Sequence, residues 1–309
     1  MAAFQVGGAV VTADDGVEIV PRILEFLQSP FDQRALSAVE YALSTVLTEL
    51  VTIPGSWGTV ENPRPTETIS RGRPHLLVVL RRWFECILGV HACGYSLRGQ
   101  FNIASFTVGA RLQVKMTGIV HLFPYSRLDG GLDYTALVSS IEQFMTLREL
   151  VPPHLRVWLD LIGEGVNGVE YLIRYHTSLM EPRQAFDFVL EARNVLDQVR
   201  VLDPLVFDMI ISLHPELADW DTDSYCVNWY MDAARRYADS RTGKAFEFAH
   251  DLTGVLTVGR NCSAHPARYL KNFMVLILED DFPGLVARFQ RSIFRAGLLP
   301  IFQLDITMA

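Results

Sequence analysis

Lysine is almost missing from this chain. Of 309 residues only Lys115, Lys244 and Lys271 carry an ammonium group, and arginine supplies the rest of the 27 basic side chains. Acidic groups number 35, so the net charge is -8. Proteins that coat nucleic acid neutralise phosphates with clustered Lys and Arg. General nucleic-acid binding is therefore not expected, although a local basic groove stays compatible with the composition. The planar guanidinium groups that remain suit paired carboxylates at protein interfaces.

Cysteine is also sparse, with four residues (Cys86, Cys93, Cys226 and Cys262) and no Cys-x-x-Cys pair. Cys86 and Cys93 fall on one face of a predicted helix about two turns apart, too far for a disulfide. Free, buried thiols in a reducing compartment are the expectation. Long apolar runs are missing too. The stretch from His75 to Ala92 is interrupted by Arg81, Arg82 and Glu85, which falls short of the roughly 18 apolar residues of a membrane span. The apolar start, Met1 to Val11, has no basic leader and is soon followed by Asp14 and Asp15. It does not read as a secretion signal, and the sequon at Asn261-Cys262-Ser263 is read as chance. The expected location is cytoplasmic or within a virion, not secreted. No Gly-x-Ser-x-Gly elbow, His-Glu-x-x-His helix or Walker loop occurs, which removes the best-marked hydrolase, zinc-protease and P-loop classes.

What the chain has is hydrophobic material. Half of its residues are apolar and 20% charged, enough for a sizeable core. The first part, 1–98, reads as mainly helical. Candidate helices cover 17–28, 32–52 and 74–90, the last with Pro74 at its first turn. Residues 54–74 hold Pro54, Pro63, Pro65 and Pro74 and read as a loop or linker. From residue 99 the expectation is an α+β domain running to 309. Segments 100–108 and 111–122 are rich in β-branched and aromatic residues and predict paired strands around a Gly109-Ala110 turn. A helix over 133–150 follows, closed by Pro152-Pro153. A second hairpin over 155–176 and a helix over 182–200 would make this a possible hairpin–helix repeat.

Beyond it, 205–213 predicts a strand or short helix, 224–239 a helix, and 245–258 a further hairpin. Residues 273–278 predict a central strand, 283–296 an amphipathic helix, and 298–308 a final strand. The predicted fold class is α+β: a helical N-terminal region, then hairpin and helix units building a mixed, largely antiparallel sheet with helices packed on it.

Candidate chemistry is confined to a few places. Gly163, Gly165 and Gly168 have the Gly-x-Gly-x-x-Gly spacing of a dinucleotide loop, in which a tight turn presents backbone amides to a pyrophosphate. The flanking segments, LRVWLDLI and VEYLIRYH, alternate well enough for a hairpin, and that reading takes precedence. Asp219, Asp221 and Asp223 could share a hard cation or cap a helix. Asp280 and Asp281 are placed at a strand–helix junction. Cys262 and His265, with Asp251 upstream, hold the residue types of a thiol nucleophile but not a spacing that assures contact. His75, His91, His121 and His214 show no metal-ligand pairing. Trp158, Trp220, Tyr225, Trp229 and Tyr230, near Arg235, Arg236 and Arg241, offer stacking groups, and the Arg- and aromatic-rich, Lys-poor bias matches protein interfaces better.

These absences favour a non-enzymatic structural or assembly protein, a subunit of a homo- or hetero-oligomer. A viral capsid or capsid-associated subunit is its most concrete form, with apolar ends docked on neighbours. No catalytic residue, cofactor or metal is expected. The alternative is a nucleotide-binding enzyme using the loop at Gly163, Gly165 and Gly168.

Overall fold

The computed structural model describes residues 4–6, 9–11 and 35–308, apart from 120, 149, 221–226, 239–242 and 245. The class is α+β: the described residues form twelve α-helices, with several short 3-10 turns, and small antiparallel sheets, 58% helical and 10% strand among them. The predicted helix over 17–28 lies outside the described residues.

The chain divides into two compact units, 1–49 with 71–174 and 50–70 with 175–309. In the first, β1 (Phe4–Val6) pairs antiparallel with β2 (Ala9–Val11), Gln5 opposite Val10. The helix expected over 32–52 is cut to α1 (Ala38–Ser44), set between β3 (Leu36–Ser37) and β4 (Thr48–Thr52). A capping box starts it: Ser37 Oγ accepts from the Glu40 N–H at 3.2 Å, and the Glu40 carboxylate accepts from the Ser37 N–H at 2.9 Å. Its C-cap, Thr45, is extended, and the β-branched residues that follow favour strand. β4 pairs with β5 (Thr68–Gly72).

The helix predicted from Pro74 is present as α2 (Pro74–Ala92). It buries Leu76, Leu80, Trp83, Phe84 and Ile87, which form the centre of this unit. Then come β6 (Tyr95–Ser96), β7 (Phe106–Val108), β8 (Val114–Met116) and β9 (Phe123–Pro124). β3, β7 and β8 make a three-stranded sheet, and β6 pairs with β9. The hairpin at 100–122 is therefore real but shorter. Its turn is a loop over 109–113 closed by Val108 opposite Val114, with the positive φ at Leu112 rather than at Gly109. The ring of Phe106 stacks on Trp83 at 4.3 Å.

α3 (Arg127–Thr146) begins earlier than Asp133, because Ser126 Oγ accepts from the Asp129 N–H at 3.1 Å and caps it there. The largest correction is at 155–176. In place of a hairpin stand α4 (Pro153–Gly163) and α5 (Glu170–Arg174). Leu155, Trp158, Leu159 and Ile162 are buried at i, i+3, i+4 and i+7, and the Trp158 indole donates to the Ile173 carbonyl at 2.9 Å. The hairpin–helix repeat thus ends after its first copy.

The second unit takes in most of the β4–β5 ladder, which straddles the boundary, and is otherwise built of helices and loops. α6 (Pro182–Leu202) matches the expectation, starting at its proline. α7 (Pro204–Ser212) resolves the strand-or-helix choice at 205–213 as helix. α8 (Trp229–Arg235) is shorter than the predicted 224–239. The hairpin expected over 245–258 is replaced by α9 (Leu252–Ala264), the strand over 273–278 by α10 (Met274–Asp281), and the last strand by a 3-10 turn and α12 (Leu304–Thr307). Between these, α11 (Leu285–Arg295) keeps the predicted sidedness, with Leu285, Val286, Phe289 and Ile293 buried. α10 buries Met274 to Leu278 without interruption, and such a run has no period that separates a buried helix from a buried strand.

Candidate functional site

Asp203 sits between α6 and α7. Its backbone N–H donates to the Val199 carbonyl at 2.8 Å, while its Oδ1 accepts from the Val206 N–H at 3.2 Å. One residue thus ends one helix and caps the next, and Pro204 fits the first turn of α7. The inner stripe of α6 (Ala185, Phe186, Val189, Ala192, Leu196) is buried, but the apolar pattern continues past it onto the outside. Val201, Leu202 and Leu205 are 79%, 82% and 81% exposed, and Met209 is 38% exposed. α7 has an almost wholly apolar sequence, yet Ile210 is its one buried residue. Burial of a Leu or Val side chain is worth about 1.5–3 kcal/mol. Exposed apolar patches on well-formed helices are the kind of surface at which proteins dock.

The glycine loop has no such geometry. Gly163 closes α4, and Gly165 (φ 117°) and Gly168 (φ 83°) shape the turn into α5. A dinucleotide loop follows a strand and opens a helix, whose N-terminus attracts phosphate. Here a helix C-terminus enters the loop, bringing carbonyl oxygens and the negative end of the dipole. The two positive-φ glycines are conformational.

The most heavily bonded polar group was missed by sequence reasoning. Asp133 is fully buried on α3. Its carboxylate accepts from the Leu97 N–H (2.9 Å), the Gly99 N–H (2.7 Å) and Ser96 Oγ (2.8 Å), and lies 2.9 Å from His91 Nε2. Burial acts to raise its pKa, but His91 and these donors outweigh that and hold it below the usual carboxylate range. Tyr134 Oη lies 3.0 Å from His91 Nδ1. Burial, then the nearby charge of Glu170, keeps that phenol protonated far above its ordinary value. The network is self-consistent when Tyr134 donates to Nδ1 and the Nε2–H of His91 donates to Asp133. It fastens the 96–99 loop to α3.

Asp280 and Asp281 end a helix rather than a strand. Asp280 Oδ2 is paired with Arg64 and accepts from Asn228 Nδ2 at 2.6 Å. Asp281 Oδ1 accepts from the N–H groups of Val227 (2.9 Å) and Asn228 (2.7 Å). Asp280 Oδ1 and Asp281 Oδ2 are buried without a donor. Burial first, then the charge of Asp280, pushes the Asp281 carboxyl up to about 8.

The remaining candidates do not converge. Cys262 is buried inside α9, and burial, with Asp281 nearby, pushes its thiol up to about 12. His265 caps the end of α9 and stacks on Tyr237, while Asp251 caps its start by accepting from the Thr253 N–H at 2.8 Å. A thirteen-residue helix separates them. A serine–histidine–glutamate order exists elsewhere: His214 Nε2 is 2.9 Å from Ser292 Oγ, and Nδ1 is 3.7 Å from Glu216. Ser292, however, is buried on α11 and donates to the Arg288 carbonyl at 3.0 Å, so its hydroxyl is committed within the helix. Gln290 acts as a clamp on the chain: its amide donates to the Tyr175 carbonyl and accepts from the Thr177 N–H, both at 2.8 Å.

Of the stacking groups, Trp158 and Trp220 are buried, Trp229 is partly exposed, and Arg235 and Arg236 pair with Asp232. Asp219 is exposed; Asp221, Asp223, Tyr225, Cys226 and Arg241 lie outside the described residues. Among the described residues no cluster of three His, Cys, Asp or Glu could hold a metal ion, and no helix is long and apolar enough to cross a membrane. No protein-family model, no curated protein and no solved structure matches the chain.

Proposed function

We propose that this chain is a non-enzymatic assembly protein, one subunit of a larger protein complex, and that the corner between α6 and α7 is a docking surface. The observation that carries this reading is the exposure of Val201, Leu202, Leu205 and Met209 on two well-formed helices that meet at Asp203. Interfaces concentrate apolar anchors of this kind in their centre. A viral capsid or capsid-associated subunit, in the cytoplasm or the virion, is the most concrete version of the proposal. The absence of a recognisable catalytic motif supports it.

A nucleotide-dependent enzyme working through Gly163, Gly165 and Gly168 is the weaker reading, because the end of α4 presents carbonyls to that loop. The test is the native mass in solution as a function of concentration. A mass above that of one chain, rising with concentration, supports assembly. A monomer at every concentration, with no complex recovered from its source, contradicts it.

A further inference from the structure

We infer that the α6–α7 corner of one copy docks head to tail on an apolar face of the first unit of another copy; this rests on the assembly reading above. That face lies at the ends of α1 and α3. Leu43, Val46, Leu147 and Leu150 are 53%, 52%, 42% and 84% exposed there. Arg148 Nη1 donates to the Leu43 carbonyl at 2.8 Å, which joins the two helix ends into one surface.

The charges decide which occupant fits. Arg148 is exposed and has no carboxylate partner among the described residues. At the corner, Asp208 follows Leu205 by three positions and precedes Met209, so it flanks the ridge. It too is exposed, and no cation among the described residues pairs with it. Arg200, the nearby cation, is turned over the Phe207 ring at 5.6 Å. One face is therefore apolar with an unpaired cation, and the other apolar with an unpaired anion. Docking one on the other pairs Arg148 with Asp208, whereas self-pairing of the first-unit face sets Arg148 against its own copy. An anionic lipid surface is disfavoured at the corner for the same reason.

Contacts between unlike faces are heterologous, and repetition closes them into rings or extends them into filaments. Each set of exposed side chains offers on the order of a few hundred Å². That is less than the roughly 800 Å² per partner of a standard interface, which suits the anchor of a reversible contact.

The test uses two surface variants of the full chain, Leu205→Lys at the corner and Leu150→Asp on the opposing face, followed by analytical ultracentrifugation. Each alone is expected to lose association by tenfold or more. Mixed together they should form a one-to-one pair, since the first keeps an intact receiving face and the second an intact corner. In a single chain, Asp208→Arg and Arg148→Asp should each weaken association and together restore it. If Leu150→Asp associates like the wild type while Leu205→Lys does not, the corner pairs with itself or with another protein and the inference is overturned, though assembly stands. Failure of the mixture to pair, with both variants folded by circular dichroism, overturns it as well. A wild-type chain that is monomeric throughout and recovers no partner overturns both.

Discussion

The backbone N–H of Asn228 donates to Oδ1 of Asp281 at 2.7 Å, while the second oxygen of that carboxylate is buried with no donor. The carboxyl is thus half satisfied. Burial, reinforced by Asp280, lifts it to about 8, so at neutral pH the proton stays on. The folded chain binds this proton between pH 4 and pH 8, roughly, and the unfolded chain does not. The stability contributed at Asp281 is full below the ordinary carboxylate pKa and is lost as pH rises towards 8. Denaturant titrations at a series of pH values should show wild-type stability falling across this window and Asp281→Asn falling less. An unchanged slope in the variant would refute the assignment.

Asp133 has the opposite sign. Its pKa is held low by His91 and the Gly99, Leu97 and Ser96 donors despite burial, so its contribution is present above the ordinary carboxylate pKa and is lost as pH falls through the lowered value. Asp133→Ala leaves buried donors of the 96–99 loop without an acceptor and should cost about 3 kcal/mol or more. Asp133→Asn should cost less. The gap between wild type and Asp133→Asn should narrow in strong acid, as measured by urea unfolding.

Two of the glycines of the 163–168 loop make separable predictions. Gly163 has a helical backbone, and a Cβ there meets nothing within 4 Å, so Gly163→Ala should stabilise by about 0.4–1 kcal/mol. Gly168, at φ 83°, should lose about 1 kcal/mol as alanine. Calorimetric titration with ATP or NAD should give no binding heat. A saturable heat abolished by Gly163→Ala would revive the phosphate-cradle reading.

Cys86 and Cys262 both have thiols pushed up to about 12 by burial. The thiolate fraction at pH 8 is then about one part in ten thousand. Native-state alkylation at pH 8 should spare both and modify them only after unfolding, as read by peptide mass spectrometry. Rapid labelling of Cys262 in the folded chain would reopen its candidacy as a nucleophile.

Helices announced by proline at the first turn and an apolar stripe, α2 and α6, were legible in the sequence almost to the residue. Met274 to Leu278, buried without interruption, was not, since such a run shows no period. In Leu155 to Ile162 the alternation of Val157, Leu159 and Leu161 competes with the helical spacing of Leu155, Trp158, Leu159 and Ile162, while Arg156, Val157 and Asp160 stay exposed. Asp251, the start signal for α9, stood in what resembled a hairpin. Asp133 was legible only as a helix-starting residue, because its partners at 91 and 96–99 come close through tertiary packing. The corner itself was nearly visible: VLDPL places a capping Asp and a proline between apolar residues. Which way those residues face is information that only the fold supplies.

Sedimentation velocity of the wild type beside Leu205→Lys tests the docking corner most directly. Leu205 is 81% exposed, so the substitution should leave stability within about 0.5 kcal/mol of wild type. The wild type should sediment well above its 34.8 kDa chain mass at high concentration, and the variant should shift towards it. Identical profiles for the two proteins, at any mass, would contradict the account.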